Sequence, residues 1–305
     1  MSGRPRKEMM VLVVMVMMVI VMVGYILPHL YYAVLSGPPS PPPPPTPQGH
    51  FKISRTNDNN NSGGGACSKV YFLTSEQQDS RLENVIVSKY SRYDDLWGKV
   101  LDGFHSLDPN SSQWFVKADD DTYLVRHNLV ALLSGLDAAE THYIGLPLVY
   151  SPKDGKPIEF NSGGAGYVLS HSTLRLLQQT TTNKNNIHEC QYPGYTSYED
   201  VNMGVCMKAL GVAVTDTRDT LGRSRFLPYP PRQLLNSNLE GKSEYAWLQT
   251  LSKYPFHFGP EYLSDQAISF HQIRQPVDLY LIHFLIHDLH LLTSVDSRPF
   301  HHLPN

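Results

Sequence analysis

The first hydrophobic feature of the chain is an apolar run over residues 9–26. These 18 residues, at ~1.5 Å each, would form a helix about 27 Å long, close to the thickness of the hydrocarbon core of a bilayer. Three basic residues precede the run, and the positive-inside rule keeps such an end in the cytosol. The pattern predicts a cytoplasmic tail over 1–8 and a transmembrane signal anchor over 9–27. The alternative is a signal peptide cleaved near Ala33.

Residues 28–66 show no apolar periodicity and predict a lumenal stem. The proline-rich stretch 38–47 favours a stiff, extended polyproline II spacer. The polar, glycine-rich stretch 57–65 predicts a flexible segment. Asn60 and Asn110 begin N-glycosylation sequons, which agree with a lumenal location although such triplets also occur by chance.

From residue 67 onward, short apolar runs alternate with segments of helical periodicity. Alternating strands and helices predict an α/β domain over 67–305 with a largely parallel sheet. Strands are predicted at 70–73, 114–116 and 143–148. Helices are predicted around Trp97 to Phe104, Leu129 to Leu136, Leu174 to Leu177 and Met203 to Leu210, the last ending at Gly211.

The composition indicates a globular protein and excludes two classes of protein, as follows. Hydrophobic residues make up 41% of the 305 residues and charged residues 17%, enough for a sizeable core. The net charge of −3 gives no basic surface that would bind nucleic acid. Three cysteines are too few for a disulfide-based scaffold.

The first candidate site is the acidic triplet of Asp119, Asp120 and Asp121, which follows a predicted apolar strand. The strand would deliver these acids at its carboxyl end, the edge where ligands bind in open α/β sheets. Neighbouring carboxylates raise one another's pKa unless a cation or solvent compensates them. Alternation places Asp119 and Asp121 on one side. The triplet therefore predicts a site for a hard divalent cation bridging a diphosphate, the alternative being a solvated acidic turn.

The second candidate is a glycine-rich segment, FNSGGAGYVLS, over 160–170. Gly163, Gly164 and Gly166 permit positive φ values and a close approach of the backbone to a ligand. The spacing differs from that of a dinucleotide-binding fingerprint. A plain turn is the alternative.

Two further segments carry candidate chemistry. Glu199 and Asp200 open a predicted helix, where the helix dipole favours acids. The other interpretation is that this pair supplies a general base, held on a rigid element, for an acceptor hydroxyl. His271 would complete a mixed Asp/His metal site, although a lone histidine is usually just a surface or core residue. The histidines near the C-terminus, including His283 and His287, are assigned no function.

Taken together, these segments resemble the core 1 β1,3-galactosyltransferase branch of the β1,3-glycosyltransferase and fringe superfamily (glycosyltransferase family 31). The similarity covers about residues 67–292, and its specific part is WFVKADDDTYL (114–124) followed by SGGAGYVLS (162–170). An anchor, a stem and a lumenal domain are also the layout of that family. The other matching stretches are WGK (97–99), EDV (199–201) with Gly204 and Cys206, DTLG (219–222) and AISFH (267–271).

The resemblance implies a GT-A fold, in which helices flank a Rossmann-like mixed sheet. It also implies Mn²⁺ as cofactor and UDP-galactose as donor. Galactose would be transferred, with inversion, to the 3-hydroxyl of GalNAc on Ser/Thr of a glycoprotein. The protein would be a single-pass type II Golgi membrane protein with a lumenal catalytic domain, and a homodimer.

Residue roles follow from motif position in that resemblance. Inversion needs one displacement at the anomeric carbon, so a single base suffices and no protein nucleophile is required. The implied roles are metal ligands for Asp119, Asp121 and His271; donor and nucleotide binding for Asp119, Asp120, Asp121, Gly163 and Gly164; the base for Asp200; and acceptor binding for Glu199 and Trp247.

The sequence departs from the family pattern in three places. The usual first strand before 69–75 is missing, which would leave Cys67 unpaired and Cys190 bonded to Cys206 in an oxidising lumen. The usual Phe-His-Pro-Phe reads FLPY over 226–229, and a cysteine pair is missing near 262–265. These departures suggest a divergent or truncated chain, or an enzyme with reduced activity.

Three functions stay open. The galactosyltransferase is favoured because the acidic triplet, Asp200 and His271 are all present. The alternatives are a non-catalytic lumenal relative that acts as a folding partner, and a fringe-like β1,3-N-acetylglucosaminyltransferase.

Overall fold

The computed structural model describes residues 51–55, 69–75, 84–153, 155–180 and 187–289, with side chains from residue 69 onward. All of them fall within one compact unit, Pro47–Asn305. The predicted anchor and both ends of the predicted stem lie outside the described residues. Within the described part of the chain, no helix combines the length and the apolar character needed to cross a bilayer.

The described residues form twelve strands and seven α-helices. The strands are β1 (Phe51–Arg55), β2 (Lys69–Thr74), β3 (Val85–Val87), β4 (Trp114–Ala118), β5 (Tyr123–Leu124), β6 (Tyr143–Ile144), β7 (Pro147–Tyr150), β8 (Ile158–Asn161), β9 (Tyr167–Ser170), β10 (Val214–Thr215), β11 (Phe226–Leu227) and β12 (Ser269–Phe270). The helices are α1 (Leu96–His105), α2 (Arg126–Leu133), α3 (His171–Gln179), α4 (Glu199–Ala209), α5 (Pro231–Leu234), α6 (Ala246–Leu251) and α7 (Pro276–His283), which continues as a π-helical turn, Phe284–Asp288. Short 3₁₀ turns occur at Tyr93–Asp95, His188–Cys190, Ser237–Leu239, Ser243–Tyr245 and Pro260–Tyr262.

The central sheet has seven strands in the order β10-β6-β9-β4-β1-β2-β3. The pairs β10/β6 and β2/β3 are parallel. Strands β9 and β1 run antiparallel to both of their neighbours. The prediction of a largely parallel sheet is therefore wrong, because these two inserted strands make most of the pairings antiparallel. The mixed sheet implied by the resemblance is confirmed.

Strand β1 lies between β4 and β2, where the sequence analysis predicted that no strand would be present. Ser54 pairs with Val116 of β4 on one side and with Val70 of β2 on the other. The predicted absence of a first strand before residue 69 is therefore wrong. The segment FKISR is short and lies in a polar stretch, so apolar periodicity alone could not identify it. The extent of the stem stays a prediction.

The central sheet separates two hydrophobic clusters. Along β4, Trp114 and Val116 pack into one cluster while Phe115 packs into the other. Successive strand side chains point to opposite faces, and both faces are covered here, so the strand is apolar throughout its first three residues. Helices α1, α3 and α4 cover the face that includes Phe115, as shown by the burial of Phe104 and Leu174.

The other predicted elements agree with the structure, with one exception. The predicted helices correspond to α1, α2, α3 and α4, and Gly211 follows α4 with a φ of +73°. The predicted strand at 143–148 is split into β6 and β7 around Gly145, where a Cβ atom would lie 2.8 Å from Asn161. The predicted disulfide between Cys190 and Cys206 is confirmed. Cys67 lies outside the described residues.

A second sheet, β11-β12-β5, joins three distant parts of the chain. Asp219 holds the segments that lead into β11 and β12, because its carboxylate accepts hydrogen bonds from the Arg223 side chain at 2.7 Å and from Ser264 at 2.7 Å. Arg223 also donates to Asp265 and to the Leu263 carbonyl. Burial alone would raise the pKa of Asp219, but hydrogen bonds from Ser264 and Arg223 outweigh it and lower the pKa to about 2.

We predict that Asp219→Asn lowers the free energy of unfolding by about 2 kcal/mol at pH 7, since a folded-state pKa about two units below the unfolded value stabilises by that amount. The contribution is complete above the unfolded pKa of about 4 and is lost as pH falls through the folded value of about 2. Urea unfolding of wild type and variant at pH 7 and pH 2.5 therefore measures a difference that shrinks in acid.

The matched control is Asp216→Asn, which removes a neighbouring but solvent-exposed partner of Arg218. Its effect on the free energy of unfolding should stay below about 1 kcal/mol, as for other surface ion pairs. An Asp219→Asn effect as small as that of the control, or one that does not depend on pH, contradicts the assigned role of Asp219.

Candidate metal and catalytic site

The candidate metal ligands meet where the central sheet and the β11-β12-β5 sheet adjoin. Strand β4 is fully buried and delivers Asp119 to its carboxyl end. Strand β5 follows two residues after Asp121 and pairs antiparallel with β12, Tyr123 opposite Phe270. The Ile273 amide donates to the Asp121 carbonyl at 3.0 Å. This pairing brings His271, which directly follows β12, beside the acidic triplet.

Asp119, Asp121 and His271 form a three-ligand cluster. The Nε2 atom of His271 lies 3.0 Å from Asp121 Oδ1 and 3.8 Å from Asp119 Oδ2. One ligand atom from each residue lies within 4.8 Å of the others, and all three side chains are partly exposed. Two carboxylates and an imidazole suit a borderline or hard divalent cation. Burial raises the pKa of Asp121, but the hydrogen bond and charge of His271 bring it below the usual value.

The glycine-rich loop lies against this cluster. A Cβ atom at Gly164 would overlap the His271 imidazole, so only glycine allows the ring to take this position. The Gly164 carbonyl accepts a hydrogen bond from Thr122 at 2.8 Å, which joins the loop to the acidic segment. Gly166 has a φ of +79°, and a Cβ atom there would lie 2.9 Å from the Lys117 carbonyl. The loop is thus specified by close backbone packing.

Lys117 is a site residue that the sequence analysis missed. Its side chain is 1% exposed. Its ammonium group donates to Asp119 Oδ1 at 2.5 Å and to the Gly163 carbonyl at 3.0 Å. Burial would lower the pKa of Lys117, but Asp119 and Glu199 outweigh it and raise the pKa. The available signal was a single lysine within an apolar strand, directly before the acids.

Glu199 is buried and forms a second ion pair with Lys117. Its Oε2 atom lies 3.7 Å from the Lys117 ammonium, and its Oε1 atom accepts a hydrogen bond from Tyr167 at 2.6 Å. Burial raises the pKa of Glu199 to about 7 despite the opposing charge of Lys117. The structure thus gives Glu199 internal partners, and its contact with an acceptor stays a prediction.

Asp200 reaches the same site from the first turn of α4. Its Oδ2 atom accepts a hydrogen bond from the Gly163 amide at 3.0 Å, and Oδ1 accepts one from the Val201 amide. Burial raises the pKa of Asp200, although the Gly163 hydrogen bond and the charge of Lys117 oppose the rise. A half-buried carboxylate with a raised pKa, fixed on a helix, has the properties of a general base.

The remaining two predicted residues are less closely tied to the cluster. Asp120 is exposed on the acidic turn. Burial lowers the pKa of Lys99, and the negative charge of Asp120 partly opposes this effect. Trp247 is 38% exposed on α6, and its indole donates to the Tyr229 hydroxyl at 2.8 Å. Among the described residues, no hydrogen bond or ring contact joins Trp247 to the three metal-ligand candidates.

The chain is similar to one known protein family and to several known proteins. Residues 73–221 match the Fringe-like family. The chain is similar to the Xenopus laevis protein glycoprotein-N-acetylgalactosamine 3-beta-galactosyltransferase 1, with 38% identity over 64% of this chain and 52% of that protein. It is also similar to human chondroitin sulfate synthase 3, 28% identical over 59% of this chain and 18% of that protein.

A third similarity is to human beta-1,3-glucosyltransferase, 27% identical over 43% of this chain and 24% of that protein. The chain thus spans about half the length of the Xenopus relative and a quarter or less of the two human ones. The matched family region includes the acidic triplet, the glycine-rich loop and Asp200, whereas His271 lies beyond it.

If the cluster holds a divalent cation, we predict that Gly164→Ala weakens its binding at least about tenfold, because the added methyl group displaces His271, and losses of this size are typical when a metal ligand loses its orientation. Isothermal titration calorimetry with Mn²⁺ measures the change. Gly135→Ala is the control, since its Cβ atom would meet only the Leu132 carbonyl at 3.7 Å. Equal affinities in the two variants contradict the packing argument.

We predict that Lys117→Met lowers the free energy of unfolding by roughly 3 kcal/mol, because it leaves buried carboxylates without their counter-charge. Chemical denaturation checks this value. In the double variant Lys117→Met/Glu199→Gln the penalty should be partly relieved, giving a favourable coupling energy. Strictly additive effects of the two substitutions show instead that the Lys117–Glu199 pair is not coupled.

Proposed function

We propose that this protein is an inverting glycosyltransferase with a GT-A fold, because residues 73–221, which include the acidic triplet, match the Fringe-like family. It transfers galactose from UDP-galactose to the 3-hydroxyl of GalNAc on Ser/Thr of a glycoprotein. The observation that carries the proposal is the cluster of Asp119, Asp121 and His271, next to a glycine-rich loop whose Gly163 amide donates a hydrogen bond to the Asp200 carboxylate.

The choice of substrates is supported by the Xenopus laevis glycoprotein-N-acetylgalactosamine 3-beta-galactosyltransferase 1, which is 38% identical over 64% of this chain. The relatives that share less sequence are named for other products, chondroitin sulfate and a β1,3-linked glucose. The names of the relatives therefore agree more closely on the class of reaction than on the sugar that is transferred. A fringe-like transfer of N-acetylglucosamine is the alternative among enzymes.

The chain's own residues supply a proton acceptor and a rigid frame. The acceptor 3-hydroxyl loses its proton to the Asp200 carboxylate as it attacks the anomeric carbon, so one displacement inverts the configuration. The Gly163 amide holds Asp200 Oδ2 at 3.0 Å, which orients the base. The raised pKa of Asp200 makes it a stronger base than a solvated aspartate.

Asp119, Asp121 and His271 would hold the cation, which we propose is Mn²⁺. When bound, it supplies positive charge that stabilises the departing diphosphate. The two carboxylates fit this ion because carboxylate oxygens are ligands that suit manganese. Asp120, Gly163 and Gly164 are proposed to contact the nucleotide part of the donor.

We further propose that the chain is a single-pass type II protein of the Golgi membrane with its catalytic domain in the lumen. The support is the apolar run over 9–26 and the Cys190–Cys206 disulfide, which suits an oxidising compartment. A homodimer is proposed from the resemblance alone. Acceptor contact by Trp247 and Glu199 has the same basis.

The proposal is tested with the full-length chain, purified in detergent and supplied with Mn²⁺, UDP-galactose and a GalNAc-α-peptide. We expect a β1,3-linked product by mass spectrometry and glycosidase digestion. Asp200→Asn should lower kcat by about 10²–10⁴-fold, the usual contribution of a general base. Asp121→Asn should abolish turnover while the melting temperature changes little.

Asp94→Asn, at an exposed carboxylate outside the cluster, is the matched control and should keep full activity. UDP-glucose and UDP-N-acetylglucosamine are tested as competing donors. Turnover with UDP-N-acetylglucosamine in preference to UDP-galactose would support the fringe-like alternative. A folded chain that neither binds UDP with Mn²⁺ nor releases UDP would support the non-catalytic folding partner and refute the enzyme.

A further inference from the structure

A groove whose lining residues are separate from the metal-ligand cluster runs along one face of α1. It has a volume of about 340 Å³ and is formed between α1, Tyr90 and the segment 190–192. The α1 residues that line it, Gly98, Leu101, Asp102 and His105, follow the spacing of one helix face. A volume of this size lies in the range of small-molecule binding sites.

Two tyrosine rings form one wall of the groove. Tyr90 and Tyr192 lie with ring centroids 4.5 Å apart and planes inclined at 49°. They approach the helix closely because Gly98 has no side chain: a Cβ atom there would lie 2.7 Å from Tyr90 and 2.9 Å from Tyr192. The neighbouring Trp97 indole donates to the Gln191 carbonyl at 2.9 Å and fixes the 190–192 segment to α1. The wall is therefore built by specific packing.

Polar groups stand beside these rings. Asp102 Oδ2 accepts a hydrogen bond from Ser88 at 2.6 Å, and Ser88 Oγ also accepts one from the Tyr90 amide. Ser88 thus fixes the carboxylate and the aromatic wall relative to each other. Among the described residues, no donor bonds Asp102 Oδ1, so this oxygen can accept a hydrogen bond from a ligand. His105 lines the same groove one turn further along α1.

We propose that this groove binds a pyranose sugar ring. The apolar C–H face of a pyranose packs against an aromatic ring, while its hydroxyl groups need hydrogen-bond acceptors and donors at the edge of that ring. Tyr192, which is 39% exposed, offers the aromatic face. Asp102 Oδ1 offers a hydrogen-bond acceptor at the edge of that ring. The groove lacks cationic side chains among its described lining residues, which disfavours a phosphate or sulfate ligand.

The groove lies on the same helix as Lys99, a residue that interacts with the acidic triplet. Gly98 precedes Lys99, whose ammonium interacts electrostatically with Asp120 of the acidic triplet. His105 is seven residues further along α1, about 10 Å at ~1.5 Å per residue. A sugar bound here would be a second, non-reacting residue of a glycan, or a free monosaccharide. Placing it on the acceptor glycoprotein rests on the proposed function, whereas the binding itself does not.

The test is saturation-transfer NMR on the full-length chain in a detergent that has no sugar headgroup. Methyl galactoside and methyl N-acetylgalactosaminide are the monosaccharide probes, and a glycopeptide with two neighbouring GalNAc residues is the extended probe. Excess UDP and Mn²⁺ are present in every sample. We expect saturable binding of at least one probe. Tighter binding of the glycopeptide identifies an acceptor glycan as the source, and equal binding identifies a free sugar.

Variants assign the binding to the groove. Tyr192→Ala should weaken binding at least about tenfold by removing the aromatic face, while Tyr192→Phe should keep it, because it loses only the hydrogen bond from Tyr192 to Asp95. Asp102→Asn should weaken binding as well. Loss of saccharide binding with retained UDP–Mn²⁺ binding shows that the variant is folded.

The proposal is overturned if no probe binds saturably to the wild type, or if Tyr192→Ala and Asp102→Asn bind like the wild type. Binding that disappears only in Asp121→Asn also overturns it, because the sugar would then occupy the catalytic site. If the wild type does not bind UDP with Mn²⁺, that result contradicts the proposed function alone, and an unchanged melting temperature then shows that a variant is folded.

Discussion

The buried ammonium group of Lys117 is the interaction on which the site depends. An ion that is 1% exposed is tolerated only when counter-charges and hydrogen bonds replace its water. Here Asp119, Glu199 and the Gly163 carbonyl provide them. These three groups come from the end of β4, the start of α4 and the glycine-rich loop. One desolvated charge therefore fixes three elements around a single point.

The position of His271 follows from a different constraint, the β11-β12-β5 sheet. His271 is distant from Asp121 in sequence, and only the pairing of β5 with β12 makes them neighbours. The Asp219–Arg223 network in turn holds the segments that enter β11 and β12. The metal-ligand cluster is thus assembled from two sheets, and Gly164 sets how closely they approach, since any side chain there would displace the imidazole.

The elements that sequence reasoning identified share a strong local signal. The strand WFVKA is apolar because both of its faces are buried, and α1 has the spacing of a helix packed on one side. Strand β1 was missed because its identity depends on pairing with β2 and β4, a long-range contact with no local pattern. The role of Lys117 was missed for a related reason: a lysine is expected at the surface, and only tertiary structure reveals the carboxylates around it.

The charge balance of the site explains why a divalent cation suits it. Asp119, Asp121 and Asp200 carry three negative charges, and Lys117 compensates one of them. Glu199 also pairs with Lys117 from the buried side, and burial raises its pKa, so it is protonated more easily than a solvated glutamate. The His271 imidazole contributes a ligand atom without adding negative charge when it is neutral. At least two negative charges therefore remain uncompensated, and a divalent cation would balance most of them. A diphosphate could approach this edge of the sheet only once they are balanced, because Coulomb repulsion between like charges grows in a partly desolvated site. The buried lysine reduces this negative charge by one and holds the Asp119 carboxylate in place.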